Sequence, residues 1–184
     1  MSVRTHYLKT PLTDEDIRKL EVGDIVYVSG LLVTARDLTH RLVIEKVLRG
    51  ELERGFLKGL VLYHAGPVVR KHDDTWEVVA AGPTTSMRME PLEREFIQLT
   101  GVKLIVGKGG MGQRTRQALR EFCCAYGIFP GGCGIVAAKA IKRVVHVYFL
   151  EELGIPEAMW FLEVENFGPI VIAMDSQGRT IWDE

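Results

Sequence analysis

Four times along this chain an apolar run stops at a loop built of glycine, proline and polar residues. The loops are Thr34-Ala35-Arg36-Asp37-Leu38-Thr39-His40, His64-Ala65-Gly66-Pro67, Gly82-Pro83-Thr84-Thr85-Ser86-Met87-Arg88 and Gly107-Lys108-Gly109-Gly110-Met111-Gly112. This repeated design constrains the chain toward an α/β sheet, in which loops and helix N-termini converge on the strand ends and ligands collect there. Together the loops carry Arg36, Arg88 and Lys108 beside Asp37, His40, His64, Thr84, Thr85 and Ser86. Cations grip carboxylates, a guanidinium fork suits a planar two-oxygen anion, and hydroxyls hydrogen-bond or transfer protons. The cationic half of a carboxylate site is the expectation.

Taken singly, each of these residues has a plainer use. Arg36 and Asp37 also suit a surface pair with Asp37 capping the next helix. His40, one turn beyond Asp37, could satisfy a local hydrogen bond, and His64 after an apolar run reads as a buried structural residue. Thr84-Thr85-Ser86 could cap a turn, although three hydroxyls beside Met87-Arg88-Met89 exceed what capping needs. Lys139, Lys142 and Arg143 read as one solvated helix face.

Periodicity fills in the rest. Thr13 and Asp16 have the spacing of a capping box before a short helix, and Ile25 to Gly30 reads as a buried strand. A helix is expected from Asp37 to about Arg49, with Leu38, Leu42, Val43, Val47 and Leu48 as its apolar stripe. Extended runs are expected at Leu60–Tyr63, Trp76–Ala81 and Val102–Val106, with helices over Pro91–Thr100 and Gln113–Ala125. After the Pro130-Gly131-Gly132 break come a helix at Ile135–Ile141 and an extended segment at Val144–Phe149. Two strands follow, Met159–Glu165 and Pro169–Met174, with a turn at Asp175-Ser176-Gln177-Gly178. Strands and helices mix from end to end over 184 residues, so one α/β domain spanning 1–184 is expected.

Composition excludes several functions. A formal net charge of −1 argues against nucleic acid as the main partner. No run approaches the roughly 20 apolar residues of a membrane span, and Met1 to His6 lacks the apolar core of a signal peptide, so a cytoplasmic location is the default. Cys123, Cys124 and Cys133 are odd in number and two are adjacent, which suits neither a disulfide framework nor a zinc site. Core packing is the expected use of these thiols, and no metal ligand is expected on this chain.

The Gly107 loop satisfies G-x-G-x-x-G, the dinucleotide pattern. That fingerprint expects an acidic residue roughly 20 positions later for the ribose, and no Asp or Glu occurs between Glu121 and Glu151. The expectation that remains is a tight glycine turn presenting Lys108 and backbone N–H groups to an anion. A phosphate or dinucleotide module, and a non-catalytic assembly domain, stay open as rivals.

In their order and spacing the four motifs resemble the β subunit, or C-terminal domain, of class I fumarate hydratase and the related L-tartrate dehydratase. The likeness runs from Thr10-Pro11-Leu12-Thr13 to Glu163-Val164-Glu165 and the final segments. The resemblance implies an iron–sulfur hydro-lyase that reversibly hydrates fumarate to L-malate, with L-tartrate dehydration as the alternative. It implies a swivelling β/β/α domain closing over a partner α subunit, which holds a four-iron four-sulfur cluster through its own cysteines. By motif, Arg36, Arg88 and Lys108 would bind substrate carboxylates, and Thr84 would take the carbon-bound proton of malate. Asp37 and His40 would support Arg36; Thr85, Ser86, Gly109 and Gly110 would shape the site with no assigned step. The acid partner would come from the α subunit. The chain would act as a hetero-oligomer, and alone it would self-associate or dissolve poorly.

Overall fold

The computed structural model describes residues 3–182. In chain order the elements are β1 (Thr5–Lys9), α1 (Asp14–Arg18), β2 (Ile25–Thr34), α2 (Asp37–Leu48), β3 (Val61–Tyr63), β4 (Val68–His72) and β5 (Thr75–Ala80). A 3-10 turn at Ser86–Met89 leads into α3 (Glu90–Thr100). Then follow β6 (Leu104–Gly107), α4 (Gln113–Phe122), β7 (Ala125–Ile128), α5 (Gly134–Ala140), β8 (Ile141–Tyr148), α6 (Leu150–Leu153) and β9 (Met159–Met174). The mixed α/β expectation holds.

The main sheet runs β1-β2-β3-β6-β7-β9-β8, and β2 also pairs with β9. The strands β2, β3, β6, β7 and β9 therefore close into a ring. The first four are parallel neighbours, and β9 returns antiparallel to both β7 and β2. Side-chain alternation sorts the core into two layers. Val28, Leu32, Val61, Tyr63, Leu104 and Val106 point into the ring, where they meet Phe129, Trp160, Phe167 and Ile172. Val33, Leu62, Ile105 and Tyr126 point outward beneath Val43 and Val47 of α2, Phe96 and Ile97 of α3, and Leu119 of α4. No helix among the described residues is long and apolar enough to cross a membrane.

Several elements differ from expectation. The two tail strands are one strand, β9, kinked where Asn166 takes a left-handed φ of 50° and where its pairing with β2 shifts register. The helix expected to reach Ala125 stops at Phe122. Cys123 turns the chain at φ 53°, and Ala125 already belongs to β7. Asp37 is not the cap of α2 but its first residue. Arg36 is the cap, and its backbone N–H donates to Thr39 Oγ1 at 3.2 Å. Lys142 and Arg143 lie on β8 rather than on a helix, paired across the sheet with Glu165 and Glu163. The capping box at Thr13 and Asp16 is present as expected.

Candidate active site

Because β2, β3 and β6 are parallel, Thr34, Tyr63 and Gly107 end on one edge of the ring. The loops that follow them meet there. The Gly82–Arg88 loop arrives by way of the β4–β5 hairpin and is stitched in by backbone contacts. Thr84 N–H donates to His64 O at 2.7 Å, Pro83 bridges to Ala65, and Thr85 bridges to Lys108. Ser86 N–H donates to Lys108 O at 3.0 Å. All four motifs thus belong to one continuous surface.

The cations on this surface are held differently. Arg88, at the end of the Gly82–Arg88 loop, donates from Nη2 to Asp37 Oδ1 at 2.9 Å. Burial pushes the Asp37 carboxyl up, but its own backbone N–H and Arg88 outweigh that and hold it below the usual range. Asp37 therefore steadies Arg88, whereas the family resemblance implied support for Arg36. Arg36 instead lies with Nε 3.3 Å from Glu157 Oε1, an ion-pair contact that falls short of a hydrogen bond. Glu157 also accepts from Leu38 N–H at 3.1 Å, and burial raises its carboxyl despite the opposing pull of Arg36. Lys108 is exposed and makes no ion pair among the described residues. The half-buried Thr84 spends its backbone N–H on His64 O, and no hydrogen bond among the described residues engages its hydroxyl. Thr85 is exposed and Ser86 fully buried.

Two glycines give this edge its shape. A Cβ on Gly107 would sit 1.8 Å from Ser86 Oγ, closer than any side chain tolerates. Gly109 turns at φ 76°, a left-handed conformation that glycine adopts without strain.

Beneath the loops lies a buried polar trio that sequence reasoning did not assemble. His40, His64 and Glu93 are each 0% exposed, and Glu93 Oε2 lies 3.1 Å from His64 Nε2 and 3.5 Å from His40 Nε2. Burial pushes the Glu93 carboxyl up, yet His64 and His40 together overcome this and hold it down at about 2. For His64, burial lowers its pKa more strongly than Glu93 raises it, which keeps the ring neutral. A signal for the trio does exist in the sequence. Glu93 shares a helical face with Phe96, Ile97 and Thr100, and a carboxylate on an apolar stripe calls for a partner.

The N-terminus of α4 is already filled. Glu90 accepts from the backbone N–H groups of Gly112, Arg114 and Thr115 at 2.8, 3.0 and 3.2 Å, and from Thr115 Oγ1. Lys108 N–H is taken as well, by Ser86 Oγ at 3.2 Å. Of the amides in the Gly107 loop, those of Lys108 and Gly112 are thus engaged within the fold. A dinucleotide pyrophosphate would have to compete with a carboxylate built into the fold.

The three thiols do not form a cluster-binding set. Cys124 is buried, donates to Val102 O at 3.0 Å, and is pushed up to about 12 by burial. Cys123 points at Asp14 O, and Cys133 packs against the ring interior.

Comparison with known proteins assigns the class that this fold and edge define. The family model described as fumarase C-terminus matches residues 2–184, and the chain belongs to that family. An Escherichia coli protein named L(+)-tartrate dehydratase subunit beta is 46% identical over 177 residues, covering 95% of this chain and 85% of its own length. A Methanocaldococcus jannaschii protein provisionally given the same name is 48% identical over 178 residues, covering 97% and 91%. A Geobacillus stearothermophilus protein provisionally named fumarate hydratase class I is 42% identical over 178 residues; the match covers 96% of this chain but 33% of that longer protein. The family thus joins β subunits named for L(+)-tartrate dehydratase with part of a longer protein provisionally named class I fumarate hydratase.

Proposed function

We propose that this chain supplies the carboxylate-gripping half of a hydro-lyase site that a partner α subunit completes, and that the assembled enzyme reversibly hydrates fumarate to L-malate. The observation that carries this reading is the meeting of the loops that bear Arg36, Thr84, Arg88 and Lys108 at one edge, with the loops of Thr84 and Lys108 joined by backbone bonds and that of Arg36 tied in by the Arg88–Asp37 contact. Three cations around one hydroxyl suit a substrate with a carboxylate at each end and a proton to move between them. Arg88 and Lys108 would each hold a carboxylate oxygen, and Arg36 would add the third positive group. Thr84 would take the carbon-bound proton of malate during dehydration and return it during hydration. A hydroxyl is a weak base, so the surrounding cations would have to stabilise its deprotonated form.

The partner is proposed to hold the iron–sulfur cluster, since the cysteines of this chain do not converge. Dehydration of L-tartrate is the second reading. It is favoured by the two relatives named as tartrate dehydratase β subunits, which match along most of their own length. The filled N-terminus of α4 counts against a dinucleotide module.

The test is anaerobic co-expression with an α subunit bearing three cluster cysteines, followed by assays with fumarate, L-malate and L-tartrate. The pair should turn over one of these and each chain alone none. Thr84→Ala should lower kcat about 100-fold or more while changing binding little, as expected when one positioned proton-transfer group is lost. Robust turnover by that variant would reject the role given to Thr84.

A further inference from the structure

The buried trio is linked to every loop of the site, directly to three of them and through Ser86 to the Gly107 loop. His40 Nδ1 is 2.7 Å from the backbone carbonyl of Arg36. His64 Nδ1 is 2.9 Å from Ser86 Oγ, and Ser86 Oγ in turn accepts from Lys108 N–H. The backbone carbonyl of His64 accepts from Thr84 N–H. The two Nε2 atoms face a single carboxylate oxygen of Glu93, at 3.5 Å for His40 and 3.1 Å for His64, in ion-pair contacts that fall short of hydrogen bonds.

We propose that Glu93 is the positioning residue of this site: acting through His40 and His64, it locks the loops bearing Arg36, Thr84 and Lys108 into one arrangement. Donor logic supports this. A carbonyl only accepts, so His40 Nδ1 carries a hydrogen toward Arg36. His40 Nε2 then faces a carboxylate oxygen, and the contact is complementary only with one proton between them. Neutral His64 directs its Nε2 hydrogen at Glu93, which leaves Nδ1 to accept the Ser86 hydroxyl hydrogen. The Ser86 oxygen is then free to accept from Lys108 N–H. Each link fixes the polarity of the next, so removing the carboxylate unlocks all of them at once. None of these three side chains is solvent-exposed, so water cannot substitute for a lost link without an opening of the fold.

For its kinetic consequence the proposal rests on the dicarboxylate reading above; for its structural consequence it does not. The experiment uses the co-expressed α–β complex with Glu93→Gln and, separately, Ser86→Ala. Amide hydrogen exchange is followed in segments 34–40, 82–88 and 107–112, alongside KM, kcat and metal content. Glu93→Gln should speed exchange about tenfold in all three segments while the β3 and β6 amides stay protected. It should also raise KM for the dicarboxylate about tenfold or more, with a smaller change in kcat, because the grip loosens before the chemistry does. Ser86→Ala should confine the faster exchange to 107–112.

Unchanged loop exchange and unchanged KM in Glu93→Gln would overturn the proposal. If Glu93→Gln unfolds the chain, Ser86→Ala decides, and unaltered protection at 107–112 overturns it. A stoichiometric divalent ion surviving chelation in the wild type would also overturn it, because the trio would then be a metal site. Loosened loops in a complex that turns over no dicarboxylate would leave Glu93 in its role and refute the proposed function instead.

Discussion

Asp37 and Arg88 lie 51 positions apart in sequence and meet at 2.9 Å. Both partners are partly solvated, and an exposed ion pair of this kind contributes only about 0.2–1 kcal/mol. Its value is in aiming rather than in stability, because it holds a guanidinium at the rim where a carboxylate would arrive. Removing the fork should cost much more than removing its support. Arg88→Ala should weaken dicarboxylate binding by about 1.5–3 kcal/mol, the worth of a charge-assisted hydrogen bond. Asp37→Asn should raise KM only about threefold, within the 0.2–1 kcal/mol range of such a pair, and leave the melting temperature nearly unchanged. Competitive inhibitor titration and thermal melts would check both, and equal losses in the two variants would show that Asp37 contacts the ligand itself. The cations of this site were legible in the sequence because strand-end loops display them. Their partners were not. Glu157 reaches Arg36 and Leu38 from a segment with no motif of its own, and sequence spacing carries no trace of such a contact.

At the scale of elements, the stretch from β6 through the glycine loop to α4 shows how local pattern and tertiary demand combine. The sequence places a strand, a tight turn and a helix here, and all three are present. What it does not reveal is the reason for Gly107. The requirement comes from Ser86, 21 residues earlier in the chain, whose hydroxyl occupies the space a Cβ would need. Gly107→Ala should therefore force Ser86 aside, break its bonds to His64 and Lys108, and destabilise the fold by about 1–3 kcal/mol, the usual cost of overpacking. Urea denaturation would measure this, and restoring stability with Ser86→Gly in the same chain would confirm the cause. The strands missing from the sequence reading have similar explanations. The five residues of β1 lie at a sheet edge and alternate in exposure without an apolar run, and β4 is largely exposed in a hairpin of its own. The start of β7 was hidden because Cys123, not glycine, makes the left-handed stop of α4.

Across the whole molecule, the trio ties the outer helices to the closed ring of strands. His40 comes from α2, Glu93 from α3 and His64 from the end of β3, and His40 also packs its ring against Phe96 at 4.3 Å. Titrating the trio should therefore titrate the attachment of one layer to the other. Burial sets the pKa of His64 below its unfolded value of 6.5, so its neutral form contributes stability that is fully present above that pH. That contribution is lost as the pH falls below 6.5 and the unfolded chain gains a proton the folded one resists. Glu93 is held at about 2 against an ordinary 4.5, so its contribution is present above 4.5 and drains away as the pH falls from there toward 2. The two windows lie in sequence and share one sign. The chain should lose stability in two acid limbs, the first beginning just below neutrality. Denaturant midpoints measured from pH 7.5 down to 3.5 would resolve them, given that a midpoint shift at constant slope reports stability. His64→Gln should flatten the upper limb and also weaken the lower one, because His64 is the leading group that holds the Glu93 carboxyl down, whereas Glu93→Gln should flatten the lower one. A wild-type midpoint that stays constant between pH 7 and 5 would mean that His64 is not held neutral by burial, and that the two layers are joined elsewhere.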